Sequence, residues 1–170
     1  MAAPRALVVT GVAGAGKTTL ARALATRLGW TFLDADDLHP AANVEKMRAG
    51  APLSDADREP WLEAVARWID ARLAAGEDAV VACSALKRRY RAVLTDGRPS
   101  VRIVYLKGSL DLVAARMAAR KDHYFPTSLI ASQFEALEPP TPEEHAIVVD
   151  MAPPVSVQVD RVLEAMGAGA

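Results

Sequence analysis

The sequence predicts an α/β chain in three layers, a parallel sheet of about five strands flanked by helices on both faces. Two observations carry that expectation. The runs "ALVV" (6–9), "TFLD" (31–34), "AVVAC" (79–83), "VRIVYL" (101–106) and "AIVVD" (146–150) are apolar almost throughout, as strands covered on both faces should be. Longer helical patterns stand between them, so strand and helix alternate along the chain.

Each helical pattern has its own signals. "KTTLARALATRLG" stops at Gly29, a residue that takes the left-handed turn closing a helix. "SDADREPWLEAVARWIDARLAAG" opens on Ser54, with acids in its first turn, and ends at Gly76. "SLDLVAARMAARK" supplies a third pattern, and "LEPPTPEEH" reads as a surface loop before the last strand. No internal repeat is visible, and 170 residues are enough for one domain with a sizeable core.

Composition narrows the class. An apolar fraction of 51% and a charged fraction of 24% are ordinary for a globular chain and unlike a disordered one. A net charge of −1 gives no global attraction to nucleic acid or to an anionic membrane. The lone cysteine, Cys83, rules out an internal disulfide and a cysteine-based zinc site. The first apolar run is short and soon broken by glycine, so neither signal peptide nor membrane span is expected, and the expected location is the cytoplasm.

"GVAGAGKT", Gly11 to Thr18, fits the pattern G-x-x-x-x-G-K-[ST] and sits between a predicted strand and a predicted helix. Glycines let successive backbone N–H groups turn inward around phosphate oxygens, and the new helix adds its positive end. The loop from Gly11 through Val12, Ala13, Gly14, Ala15 and Gly16 is therefore the expected nucleotide cradle, with Thr19 beside it. Lys17 reaches toward the β- and γ-phosphates and the Thr18 hydroxyl toward Mg²⁺. ATP and Mg²⁺ are the expected cofactors on a P-loop NTPase fold. A guanine-specific switch would need an Asn-Lys-x-Asp motif, and the single asparagine, Asn43, stands in "NVEK". A compact kinase remains.

"LDADDLHP" leaves the second strand with three aspartates. Alternation along a strand points Asp34 and Asp36 one way and Asp37 the other. One carboxylate of the pair, Asp34, is expected to serve Mg²⁺ and its water. The other, Asp36, is expected to orient an acceptor hydroxyl and take its proton. Capping or solvated acids are the plainer alternative.

"GVAGAGKT", "LDADDLHP", "NVEKMRAGAPLSDADREPWL", "CSALKRRYR", "VYLKG" and "SQFEALEPP" together resemble the gluconate kinases (gluconokinases), relatives of shikimate kinase and the nucleoside monophosphate kinases. The likeness runs from Val8 to about Asp150. It implies a single kinase domain over residues 1–170, with a substrate-binding helical segment from about 37 to 76 and a small lid from about 117 to 127. It implies ATP-dependent phosphorylation of D-gluconate at its primary hydroxyl, giving 6-phospho-D-gluconate. D-gluconate is then the expected partner, nucleic acid and membrane are not expected partners, and a homodimer is compatible with the family though no interface is legible.

Gluconate brings a carboxylate, which Arg58 in "DADREPW" can hold bidentately. His39 is a candidate for a sugar hydroxyl. "CSALK" ends the third strand, where open parallel sheets bind ligands, so Ser84 and the backbone of Ala85 are expected to face the polyol. Lys87 either contacts substrate or caps the next helix, and Asn43 and Lys46 either line the way in or form a solvated face. Cys83 reads as a core residue. In the lid, the resemblance implies that Arg116 stacks on adenine and that Arg120 reaches the transferring phosphoryl group. Two departures stand out: Ala13 and Ala15 replace the usual serines, and Asp122 replaces a common lid glycine. A shikimate-kinase-like enzyme for another hydroxy-acid, and a nucleotide-binding regulator without turnover, are the alternatives.

Overall fold

The structure, a computed structural model, describes residues 4–119 and 127–168. Arg120 and Asp122, on which the lid expectation largely rests, lie outside the described residues.

Five strands, β1 (Ala6–Thr10), β2 (Thr31–Asp34), β3 (Ala79–Ala82), β4 (Val101–Lys107) and β5 (Ile147–Asp150), form one sheet in the order β2-β3-β1-β4-β5. Every pairing is parallel, with Ala6 opposite both Ala79 and Val101, Thr31 opposite Ala79, and Val104 opposite Ile147. The helices are α1 (Lys17–Leu28), α2 (Ala41–Arg48), α3 (Asp55–Ala74), α4 (Arg88–Thr95), α5 (Leu110–Ala119), α6 (Thr127–Ala136) and α7 (Val155–Ala168).

Strand alternation divides the core in two. Leu7 and Val9 of β1 face Leu20 and Leu24 of α1, Val113 of α5, Ile130 of α6 and Val162 of α7. Ala6 and Val8 face Trp61, Leu62, Val65 and Ile69 of α3 and Leu94 of α4. Each fully buried Leu, Ile or Val among these contributes about 1.5–3 kcal/mol. β1 and β3 are buried throughout and β4 is buried from Ile103 to Leu106, but β2 is partly exposed along its length and β5 alternates buried and exposed residues. Full coverage holds for the centre of the sheet and fails at its edges, because an edge strand lacks a neighbour and part of a helix layer.

Ser54 starts α3 through a capping box: its hydroxyl accepts the Asp57 N–H, and the Asp57 carboxylate accepts the Ser54 N–H. β1 has β3 on one side and β4 on the other, so the connections diverge at its carboxyl end. That divergence opens the crevice where α/β sheets bind ligands.

Candidate active site

The loop between β1 and α1 owes its shape to its glycines. Gly14 has φ 84°, and a Cβ there would sit 2.7 Å from the Met117 sulfur of α5. A Cβ on Gly11 would sit 2.9 Å from the Leu106 carbonyl oxygen of β4. Backbone packs this closely only where no side chain intervenes. Gly16, at φ 99°, precedes α1 and offers it no side-chain cap, so the first N–H groups of the helix are left for an anion. The Lys17 ammonium donates to the Val12 carbonyl at 3.1 Å, and burial pushes its pKa down against the pull of Asp36.

A cleft of about 160 Å³ is lined by Gly14, Gly16, Lys17, Thr18, Thr19, Asp34, Asp36, Ala82 and Ser84. It shares Gly14, Gly16 and Thr19 with a second hollow of about 430 Å³, bordered by Ala15, Arg116 and the 152–155 loop. The phosphate loop, the paired acids and Ser84 therefore meet in one place. Two other hollows lie along Arg88, Arg98 and Glu143 and along the β5 edge, and neither contains Lys17, Thr18 or the acids.

Asp34 and Asp36 reach that cleft by a route that strand alternation does not describe. The chain stops being extended at Asp34, whose carboxylate accepts the Asp36 N–H at 3.0 Å and caps a 3₁₀ turn over Ala35–Leu38. Asp36 and Asp37 thus lie on a tight helical turn, where neighbours diverge by about 120°. Asp36 and Asp37 point apart because of this turn, not because strand faces alternate. Trp61 of α3 latches the turn by donating its indole N–H to the Ala35 carbonyl at 2.6 Å. The Asp36 side chain is 73% exposed in the open cleft. Desolvation by the cleft walls and the adjacent Asp34 charge still raise its pKa.

Behind Asp36 stands His39, its side chain 5% exposed, stacked on Trp61 with ring centroids 4.1 Å apart. Arg58 lies close enough to join burial in lowering the His39 pKa, against the opposing pull of Asp36. Its Nη1 donates to the Leu53 carbonyl at 2.7 Å, and its guanidinium lies over the Tyr90 ring.

Other expected residues have structural partners. Lys87 precedes α4 without capping it through its side chain and pairs with Asp55 at 3.3 Å, while Tyr90 donates its hydroxyl to the same carboxylate. Ala85 is buried, and its carbonyl accepts from Arg91, itself fully buried and paired with Glu144 at 2.7 and 3.2 Å. The Ala85 N–H lies against the Cys83 sulfur. The Ala85 backbone is therefore engaged inward, and only Ser84 of this pair lines the cleft. Burial pushes the Cys83 thiol up to about 12, which makes it inert. Lys46 is bound to Asp57 at 2.8 Å and, with the Ser54 backbone N–H, holds that carboxyl down to about 2. Arg116 donates to the carbonyls of Met151 and Ala152 at 2.7 and 2.9 Å, on the rim of the larger hollow.

Gln133 of α6 carries no obvious chemical signature, yet its Oε1 accepts the Ala13 N–H at 3.1 Å. Glu138, just beyond α6, accepts the Arg88 N–H at 2.8 Å and donates its own N–H to the Leu86 carbonyl at 2.9 Å. The stretch "SQFEALE" therefore ties the phosphate loop to the loop after β3. Its recurrence in the resemblance motif was the only sequence signal for that role.

Residues 7–140 match the family described as "AAA domain". The gluconokinase of Gluconobacter oxydans (strain 621H) is 49% identical over 146 residues, covering 86% of this chain and 82% of the relative. The thermoresistant gluconokinase of Escherichia coli (strain K12) is 41% identical, covering 95% and 93%. The crystal structure of a gluconokinase from Sinorhizobium meliloti 1021 superposes with a TM-score of 0.88 at 41% identity, covering all of this chain and 95% of the other. The match extends through the cleft, the α2–α3 segment and the final strand together, and on that extent the chain belongs to the gluconokinase family.

Proposed function

We propose that this chain transfers the γ-phosphoryl group of ATP to the primary hydroxyl of D-gluconate, giving 6-phospho-D-gluconate and ADP. The observation that carries the reading is the single cleft shared by Lys17, Thr18 and Asp36. A phosphate cradle and a carboxylate with raised proton affinity both line that cleft, which shares Gly14, Gly16 and Thr19 with the larger hollow beside it.

The donor set suits Mg²⁺, a hard cation that prefers oxygen and keeps part of its water shell. Among the described residues no group of three or more His, Cys, Asp or Glu forms a full cage. Thr18 and Asp34 would hold the ion from one side and leave the rest to water and phosphate oxygens. When bound, Mg²⁺ neutralises charge on the β- and γ-phosphates.

The chain's own residues divide the remaining work. Backbone N–H groups from Gly11 to Thr19 cradle the phosphates, and Lys17 places its charge where negative charge grows during transfer. Asp36 orients the acceptor hydroxyl and takes its proton as the oxygen bonds to phosphorus. Arg58 anchors the gluconate carboxylate away from the phosphates, and His39 and Ser84 bind hydroxyls. Arg116 stacks on the adenine ring, and Arg120 from the lid completes the charge around the phosphoryl group. The α2–α3 segment is the acceptor-binding part and residues 117–127 the lid of a single domain. No described helix is long and apolar enough to cross a membrane.

Purified protein with ATP and Mg²⁺ should release ADP rapidly with D-gluconate and much more slowly with shikimate, other sugar acids or nucleoside monophosphates. Mass spectrometry should find the phosphate on the primary oxygen. Preference for shikimate or a nucleotide would refute the acceptor assignment, and the absence of ADP release with every acceptor would favour a nucleotide-binding regulator.

A further inference from the structure

Four groups stand in line behind the cleft. The Asp57 carbonyl accepts from the Asn43 side-chain nitrogen at 2.9 Å. The same nitrogen lies 3.2 Å from His39 Nδ1. On the other side of the ring, His39 Nε2 faces Asp36 Oδ1 at 3.8 Å. Asn43 is 3% exposed, and Trp61 covers one face of the imidazole.

This line has one consistent arrangement of hydrogens. A backbone carbonyl only accepts, so the Asn43 amide must turn its NH₂ toward Asp57. Its second N–H then points at His39 Nδ1, which has to present a lone pair. The ring hydrogen is left on Nε2, facing Asp36. An imidazolium would set N–H against N–H at Nδ1, and burial with Arg58 nearby disfavours that charged form as well. Asp36 is the group that favours it.

The 3.8 Å separation is too long for a direct hydrogen bond. It suits one oxygen placed between the two groups. Two bonds of about 2.8 Å would meet at that oxygen at roughly 85°, somewhat tighter than tetrahedral. A hydroxyl there accepts from Nε2–H, donates to Asp36 Oδ1 and keeps a lone pair for phosphorus.

We propose that Asn43 is a positioning residue that holds His39 as a neutral Nε2–H donor, so that His39 and Asp36 together grip the one acceptor hydroxyl that reacts. This rests on the reading of Asp36 as the base, and it gives His39 a fixed direction and a fixed tautomer. The sugar hydroxyl is selected by its ability to accept and donate at once. An ether or a carbonyl at that position fails to donate, and a deoxy carbon fails both tests.

Long-range proton–nitrogen NMR of the substrate-free protein reads the tautomer directly, with the His39 signals assigned by their loss in His39→Gln. The expected result at neutral pH is a neutral ring protonated on Nε2. A ring protonated on Nδ1, or an imidazolium, would overturn the proposal. In kinetics, His39→Leu removes the donor and should lower kcat/KM for gluconate roughly tenfold to a hundredfold, the size of a lost hydrogen bond at a buried site. His39→Gln, whose amide reaches a similar position, should recover part of that loss, with KM for ATP unchanged in both. Equal losses in Gln and Leu variants would also overturn it. Asn43→Leu should show mixed tautomers and a fall in kcat, and if that variant does not fold, the wild-type spectrum and the His39 pair still decide. The NMR result needs no substrate, so it stays distinct from a failure of wild-type protein to phosphorylate gluconate.

Discussion

Trp61 and Ala35 are joined by a 2.6 Å hydrogen bond from the indole N–H to a carbonyl in a fully buried residue, linking α3 to the turn that carries Asp36. The same indole supports the His39 ring. One side chain therefore fixes the position of the base and of the ring behind it. Trp61→Phe keeps an aromatic surface for His39 but removes the indole donor, so the Ala35 carbonyl keeps only its bond within the turn and loses its tie to α3. Urea unfolding should show a loss of about 0.5–1.5 kcal/mol, the usual net contribution of one hydrogen bond. Steady-state kinetics should show a lower kcat with KM for ATP unchanged. A variant of full stability and full kcat would refute the latch.

The fold was legible because a parallel sheet buried on both faces leaves continuous apolar runs, and β1, β3 and the Ile103–Leu106 stretch of β4 obey that rule. The edges, β2 and β5, obey it only in part. The phosphate loop was legible because its function is performed by backbone geometry, which glycine spacing records. Strand alternation does not set the direction of Asp36, because the strand ends where the Asp34 carboxylate caps the next turn. The signal for that cap, an acid at the end of a strand followed by Ala and two more aspartates, was present in "LDADD". The contacts of Gln133 and of the buried Arg91–Glu144 pair were not legible, and Asn43 was legible only as a residue on the way in, not as a partner of His39. Gln133 and Glu144 act on residues distant in sequence, and Asn43 acts across a turn, where periodicity does not register a single hydrogen bond.

Lys17→Met should separate function from stability. Removing a preorganised charge from the phosphate site should lower kcat about 10²-fold or more. The ligand-free protein should nevertheless unfold at a higher temperature, because burial penalises the Lys17 ammonium. Its folded pKa lies below the unfolded value of 10.5, so between the two the unfolded chain binds more protons. Wild-type stability therefore gains a contribution as pH rises through that window, and the Met variant should lack it. Thermal scans across alkaline pH would check this, and unchanged turnover in the folded variant would remove Lys17 from the mechanism.

Arg58→Ala addresses the acceptor anchor. Nη1 is committed to Leu53, with the Tyr90 hydroxyl 3.5 Å away, and among the described residues Nη2 has no partner. A guanidinium held in this way can present its remaining edge to a carboxylate. Losing a desolvated pair of this kind costs about 2–5 kcal/mol, which should appear mainly in KM for gluconate. Neutral gluconolactone and glucose should be poor substrates of the wild type for the same reason. A rise in KM for ATP alone would move Arg58 to the nucleotide side.

The three aspartates of "LDADD" can be told apart by near-isosteric Asn variants. Asp36→Asn removes the proton acceptor, and kcat should fall about 10²–10⁴-fold with little change in ATP affinity. Asp34→Asn keeps an oxygen that can still cap the turn, so its main effect should be a higher Mg²⁺ concentration for half-maximal rate. Asp37 is exposed, absent from the cleft wall and a third of a turn away from Asp36, so Asn should be tolerated there. Stability in the presence of a chelator gives an independent check on Asp36. Desolvation by the cleft walls and the Asp34 charge raise its folded pKa above the unfolded value of 3.8, so between these values the native state binds more protons. The Asp36 contribution is then fully present at low pH and is lost as pH rises through the folded pKa. Urea midpoints followed from acid to neutral pH should fall more for wild type than for Asp36→Asn. If the two curves run parallel, Asp36 is an ordinary solvated acid, and an Asp37→Asn variant as damaged as Asp36→Asn would hand the proton to the neighbouring carboxylate.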